Sequence, residues 1–313
     1  MDGRFRASMV VALASLTLGA CGSSPSGGGN ATTLLKQTFS GSHVVNSGSL
    51  SLSLTVRPTG SRTISGLVTL SFGGPFQSIG KGKLPASDFT VSISALGKMG
   101  SLGVLSTGTA GYVSLQGEDY ELPAATFQKL ESAFAQIDAS PGSSGSGSLS
   151  ALGIDPLHWL VNPSVVGKEM VGGTDTTHIR AGIDVAALLA DINAFLSKAS
   201  SLGVSGARSL PTGISDTTRS RIAGEVKNPS FEVWTVDSDK TVRKMSIRLT
   251  LPVSGQTSTA LGGLRSADVG LTLQYADLNK PQSIQAPTSV RPFSEFRAKL
   301  QTFLAAVQGS VGN

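Results

Sequence analysis

The only thiol of the chain, Cys21, sits where it can be modified rather than buried. It follows the apolar run Met9-Val10-Val11-Ala12-Leu13-Ala14 and the small pair Gly19-Ala20, and it precedes Gly22-Ser23-Ser24-Pro25-Ser26. Small residues at 19 and 20 fit a peptidase cleft, and the freed cysteine can carry a thioether to a diacylglycerol. Free cysteines are among the most commonly buried residues, but a lone cysteine between an apolar run and a flexible tail is poorly placed for a core. The other candidate chemistry is thin. His43, His158 and His178 are isolated, and no two have metal-ligand spacing. His178 reads as a polar residue on a strand. No Gly-x-Ser-x-Gly elbow occurs, and the glycine-rich stretches lack the strand, lysine and helix of a phosphate loop. Glu232, Asp237 and Asp239 with Arg243 and Lys244 read as a hairpin turn flanked by cross-strand ion pairs. Asp277 and Asn279 suit a turn before Pro281. No catalytic residue, metal site or cofactor is expected, so the chain is read as a non-enzyme.

Arg4 and Arg6 ahead of the apolar run, with small residues at 19 and 20, form a secretory signal over residues 1–20. The run is too short to span a bilayer, which takes about 20 apolar residues. Leu18-Gly19-Ala20-Cys21 resembles the lipobox of bacterial lipoproteins. The expectation is cleavage before Cys21 and a lipid anchor on Cys21 that holds the protein on the extracytoplasmic face of the cell membrane. The remaining chain has no other cysteine, so no intramolecular disulfide can staple it. Its 23 basic and 19 acidic residues are scattered, and aromatics are few, which argues against nucleic acid as a partner. A mildly basic surface suits anionic headgroups instead.

The elements that must carry these residues follow from periodicity. Residues 21–29 read as the lipidated cysteine and a Gly/Ser tether, and residues 30–313 as one domain. A short helix is expected over 32–39, capped by Asn30. Leu50, Leu52, Leu54 and Val56 alternate with Ser49, Ser51, Ser53 and Thr55, the period of a strand with one face on a core. Further strands are expected over 62–72, 87–96, 101–107 and 111–115, then a helix over 124–137. Residues 139–150 read as a mobile loop. Strands over 165–172 and 176–183 flank the turn signal Gly172-Gly173. A helix over 185–202 capped by Asp184 comes next, then a shorter one over 215–226. Strands over 230–237, 241–251 and 265–276 precede a final amphipathic helix bearing Phe293, Phe296 and Leu300. Few charges and many Gly, Ser and Thr fit this α+β order, an antiparallel sheet with helices on one face.

Three stretches carry a family resemblance. They are Val166-Gly167-Lys168-Glu169-Met170-Val171-Gly172-Gly173 with Thr177-His178, then Phe231 to Asp237 with Val242-Arg243-Lys244-Met245, and Tyr275 to Pro281. In this order behind a lipobox they are similar to the mycobacterial LppX/LprG-like lipoproteins. The resemblance implies a curved antiparallel sheet, a half-barrel akin to LolA and LolB, with helices over its concave side and space between them for acyl chains of a lipid or glycolipid.

Apolar helix faces can fill a core or line such a space. Periodicity nominates Phe127, Leu130, Phe134, Leu188, Ile192 and Phe195 as cavity liners. The expected function is a membrane-anchored binder or carrier of lipid or glycolipid in the cell envelope. The alternative is a structural lipoprotein with a packed core that serves as an envelope assembly partner.

Overall fold

The computed structural model describes residues 27–40, 43–138, 154–201 and 213–311. The signal, Cys21 and the loop at 139–150 lie outside them. Eleven strands are described: β1 Ser47–Thr59, β2 Val68–Gln77, β3 Ala86–Ala95, β4 Lys98–Ser106, β5 Gly111–Leu115, β6 Glu118–Glu121, β7 Leu160–Val171, β8 Thr174–Ile183, β9 Lys227–Val236, β10 Val242–Pro252 and β11 Ser266–Ala276. The described helices are α1 Gly27–Ser40, α2 Ala124–Asp138, α3 Pro156–Trp159, α4 Val185–Ser201, α5 Asp216–Glu225, α6 Gly255–Ala260 and α7 Phe293–Val311.

All eleven strands join one open antiparallel sheet, in the order β6-β5-β4-β3-β2-β1-β11-β10-β9-β8-β7. Two meanders of hairpins meet at its centre, where β1 pairs with β11 over Ser49 to Thr59. The segment after β11 locks that seam: Asn279 accepts from the Asn46 amide at 2.8 Å and donates to the Val44 carbonyl at 3.0 Å. Asp277 and Asn279 both take the left-handed conformation, as the expected turn requires. Gly172 and Gly173 do the same between β7 and β8, which matches the right-handed twist of a two-residue hairpin.

Register puts the apolar residues of the sheet on one face. Reading across from β7 to β5, Val165, Ile179, Val233, Met245, Leu273, Leu52, Phe72, Val91, Leu102 and Leu115 stand directly opposite one another in turn. Directly paired residues project to the same side, so one apolar row crosses ten strands. This is the concave face of a half-barrel, and the helices lie over it. At one flank α1, α3 and α4 bury Leu35, Phe39, Trp159 and Leu188 against Ile179, Phe231 and Val233. At the other, Phe296 of α7 packs on Val113, Leu115 and Tyr120, with its ring 5.5 Å from that of Tyr120.

The structure corrects several expectations. Strand β2 begins at Val68 rather than 62, because Ser61 to Gly66 form a loop held by the Ser61 hydroxyl, which accepts from the Ile64 amide at 2.9 Å. Gly73-Gly74-Pro75 resembles a turn signal but lies inside the strand. A Cβ on Gly73 would stand 2.2 Å from the Leu50 carbonyl oxygen, and one on Gly74 1.9 Å from that of Asp88. These glycines let neighbouring backbones close in, the usual reason for glycine within a strand. Helix α1 starts at Gly27, inside the stretch read as tether, so Asn30 lies within its first turn rather than capping it. Asp184 does cap α4, accepting from the Ala187 amide at 3.1 Å.

Candidate functional site

The concave row is covered unevenly. Ile179 and Val233 at one flank and Leu115 at the other are buried. Between them Met245, Leu273, Leu52, Phe72, Val91 and Leu102 are half-buried. A parallel row, Ala181, Phe231, Ile247, Leu271, Leu54, Leu70 and Ile93, repeats the pattern. It runs from the fully buried Phe231 to Leu70 at 41% and Ile93 at 42% exposed. Among the described residues the helices reach the sheet mainly through α1 on β7, α7 on β5 and β6, and α5 on β10. The five strands from β11 to β4 therefore form an apolar floor with helical walls on either side. At about 4.8 Å per strand the floor is about 19 Å wide. That exceeds the roughly 15 Å depth of hydrocarbon in one leaflet of a bilayer.

Polar groups edge the floor: Ser87 of β3 and Ser106 of β4 are buried opposite one another on the same side of the sheet. Tyr275, opposite Leu50, sits at the end of β11, and burial pushes its phenol above the ordinary value. Phe72 and Phe89 meet on neighbouring strands with ring centroids 4.8 Å apart. Two surface concavities lie elsewhere: about 800 Å³ beside Gly255 to Ala260, and about 490 Å³ between Glu121 to Ala124 and Val290 to Phe293. Neither of these two is lined by the central strands, whose apolar floor between two helical walls makes a trough.

The six residues nominated as liners fall into two groups. Phe127 is buried over Gly111 of β5, where a Cβ would lie 2.9 Å from its ring. Leu130 and Phe134 on the same helix are half-buried. Leu188 and Ile192 belong to the cluster over β7 to β9, and Phe195 is half-buried beside them on α4. Each group stands at one flank, and the six are not brought together into one lining. The floor residues were visible in the sequence as strand alternation but carried no sign that helices would leave them uncovered.

The convex face of β7 to β9 carries a polar cluster around His178. His178 is buried there, stacked on Trp234 at 4.3 Å between centroids. Glu169 joins the pair, with one oxygen 2.8 Å from His178 Nδ1 and the other accepting from Trp234 Nε1 at 2.7 Å. The bond from Trp234, then that from His178, holds Glu169 below the usual carboxylate range against partial desolvation. Nε2 of His178 has no hydrogen-bond partner, and Glu232 stands 3.8 Å away. Glu232 accepts from Arg180 at 2.8 Å, while Lys168 pairs with Asp237 on the concave side, where both meet Thr177 opposite Thr235. Asp239 accepts from the Thr241 amide and hydroxyl. The turn and cross-strand pairs read from the sequence are thus present. Among the described residues no cluster could hold a metal ion, and no helix is long and apolar enough to cross a membrane.

No family model and no curated protein matches the sequence. Among solved structures the chain is similar to LprF from Mycobacterium bovis, at 12% identity and a TM-score of 0.40 over 84% of this chain and 99% of that one. It is also similar to the lipoprotein LppX of Mycobacterium tuberculosis, at 14% identity and 0.33 over 82% and 99%. A LolA superfamily protein from Nitrosomonas europaea follows at 10% and 0.20 over 81% and 94%. The sheet's own residues, rather than these superpositions, define the site.

Proposed function

We propose that the protein is a lipoprotein, anchored through acylated Cys21 on the outer face of a bacterial membrane, that binds or carries lipid or glycolipid in the cell envelope. One observation carries this reading: the apolar row that is buried at both flanks of the sheet is left half-exposed across its middle five strands. A contiguous apolar surface facing water is costly, and such surfaces mark ligand grooves or interaction sites. Acyl chains suit the trough because they need only apolar area, at about 0.8 kcal/mol for each CH₂ buried. A scaffold with a packed core would have no use for an uncovered floor. Phe127, Leu130, Phe134, Leu188, Ile192 and Phe195 are assigned to the two side walls, where cargo filling the trough would meet them.

Delipidated protein titrated with envelope lipids tests the reading by native mass spectrometry and fluorescent-lipid binding. Saturable binding is expected, and no binding to any envelope lipid would reject it. Cys21→Ser should release the protein from membrane fractions, whereas unchanged retention would reject the anchor.

A further inference from the structure

The two ends of the sheet differ in what they expose. At one end lie the β1–β2 loop, the β3–β4 hairpin and the start of β7; at the other, the β2–β3 loop and the β7–β8 hairpin. Leu67, Leu70, Ile93, Leu96 and Met99 are all exposed at the first end, and they converge on one hairpin and the strand beside it. Met99 is 80% exposed. Single exposed apolar residues need no explanation, but these five ring one end of the sheet, with Leu70 and Ile93 on the concave side and Met99, opposite Ser94, on the convex side.

Charge follows the same division. Arg57, Arg62, Lys98 and Arg265 are exposed at this end, and none has an ion-pair partner among the described residues. Asp268 stands opposite Arg57 and accepts from the Thr250 hydroxyl. At the far end four cations are matched, Lys83 with Glu131, Lys168 with Asp237, Arg243 with Asp239 and Lys280 with Asp277, while the exposed Lys81 of the β2–β3 loop has no ion-pair partner among the described residues. Apolar tips ringed by unpaired cations are complementary to anionic headgroups over an apolar interior.

Helix α1 points its N-terminus to the same end. Thr38 donates to the Leu34 carbonyl and meets Thr235, at the far end of β9, at 3.2 Å. Fourteen residues rise about 21 Å, which carries Gly27 toward Ile183 at the near end. Six peptide units separate Cys21 from Gly27, a reach of about 21 Å when extended. An anchored chain can set the near end on the bilayer, but to present the far end it would have to stretch back along the whole helix.

We infer that the sheet end formed by the β1–β2 loop and the β3–β4 hairpin is a docking surface for an anionic lipid bilayer. Leu96 and Met99 enter the interface, and Arg62 and Lys98 meet headgroups. Leu70 and Ile93 link this surface to the floor of the trough, so docking places the open end of the trough against the membrane from which cargo comes. The inference rests on the anchored reading of Cys21 for its orientation, and on exposure and charge for its location.

The test uses the full lipidated protein with Met99→Cys or Met170→Cys. These exposed positions sit at opposite ends, and Met170 is 72% exposed. Acylation of Cys21 leaves the introduced thiol for labelling with an environment-sensitive fluorophore. On vesicles of phosphatidylcholine with phosphatidylglycerol, a blue shift is expected at position 99 and none at 170. The shift should weaken as salt screens the charges, and with the charge reversals Arg62→Glu and Lys98→Glu. Equal emission at both positions, or a shift at 170 alone, would overturn the inference. Native mass spectrometry of the same preparations reports on the trough separately, so bound lipid without a shift at 99 rejects the docking surface and leaves the lipid-binding reading intact.

Discussion

Leu70 offers a quantitative handle on the trough, because it lies on the floor and is still 41% exposed. Complete burial of a leucine side chain is worth about 1.5–3 kcal/mol. A bound acyl chain that covers the remaining two-fifths should thus gain about 0.6–1.2 kcal/mol from this residue. Leu70→Ala forfeits that gain, a weakening of about 3- to 7-fold at 1.4 kcal/mol per tenfold. Leu70→Asn also forces the cargo to desolvate an amide with no partner on an apolar floor, at a further cost of about 1–3 kcal/mol. The total corresponds to a loss of about 15- to 1,000-fold. Thr69 is the matched control, since it is adjacent in sequence and projects from the opposite face. Titrating a fluorescent phospholipid into delipidated Leu70→Ala, Leu70→Asn and Thr69→Asn proteins should give three distinct affinities, with Thr69→Asn equal to the wild type. Unchanged binding by Leu70→Asn, or equal losses from the two asparagine variants, would refute the assignment of the floor.

Stability should map differently. Phe231→Ala empties a fully buried site beside Trp159, whose ring centroid is 5.5 Å away, and should cost about 3–5 kcal/mol in a denaturant melt. Gly73→Ala sets a Cβ against β1 backbone atoms at 2.2 Å and 3.0 Å, so that β1 and β2 must part. A loss of about 1–3 kcal/mol is expected by the same melt, whereas an unchanged midpoint would mean that the approach is loose. Glu118 binds Lys299 of α7 and accepts from Tyr120 at 2.7 Å; the lysine contact first and the tyrosine second hold it below the usual carboxylate range. A carboxylate depressed by folding contributes stability above its unfolded value of about 4.3 and loses it as pH falls through the folded value. Thermal melts should therefore show the α7 flank weakening only in acid below about pH 4, with Glu118→Gln flattening that limb and lowering stability at neutral pH.

How much of this was legible depended on whether the signal was local. The alternation Leu50, Leu52, Leu54, Val56 needs only the two-residue strand period, and β1 formed where that period runs. Whether Leu52 is covered depends on where helices far away in the sequence, such as Val185–Ser201 and Phe293–Val311, come to rest, and strand period is the same in either case. The strand expected over 62–72 runs on to Gln77, because glycine serves both turns and close backbone approach, and only the distances from Gly73 and Gly74 to Leu50 and Asp88 separate the two. The six nominated liners divide for a related reason: α2 and α4 each have an apolar face, but Phe127 of α2 packs over Gly111 of β5 and Leu188 of α4 packs with Ile179 and Phe231, at opposite flanks of the sheet. Glu169, His178 and Trp234 are brought together by register across β7, β8 and β9, which no sequence window contains.

The central claim is that the uncovered floor holds lipid. Its most direct test is mass spectrometry of what copurifies with the natively expressed, membrane-extracted protein, compared between the wild type and Leu70→Asn. The expected result is a defined envelope lipid retained by the wild type and depleted in the variant. Wild-type protein free of lipid, or equal retention by both proteins, would contradict it.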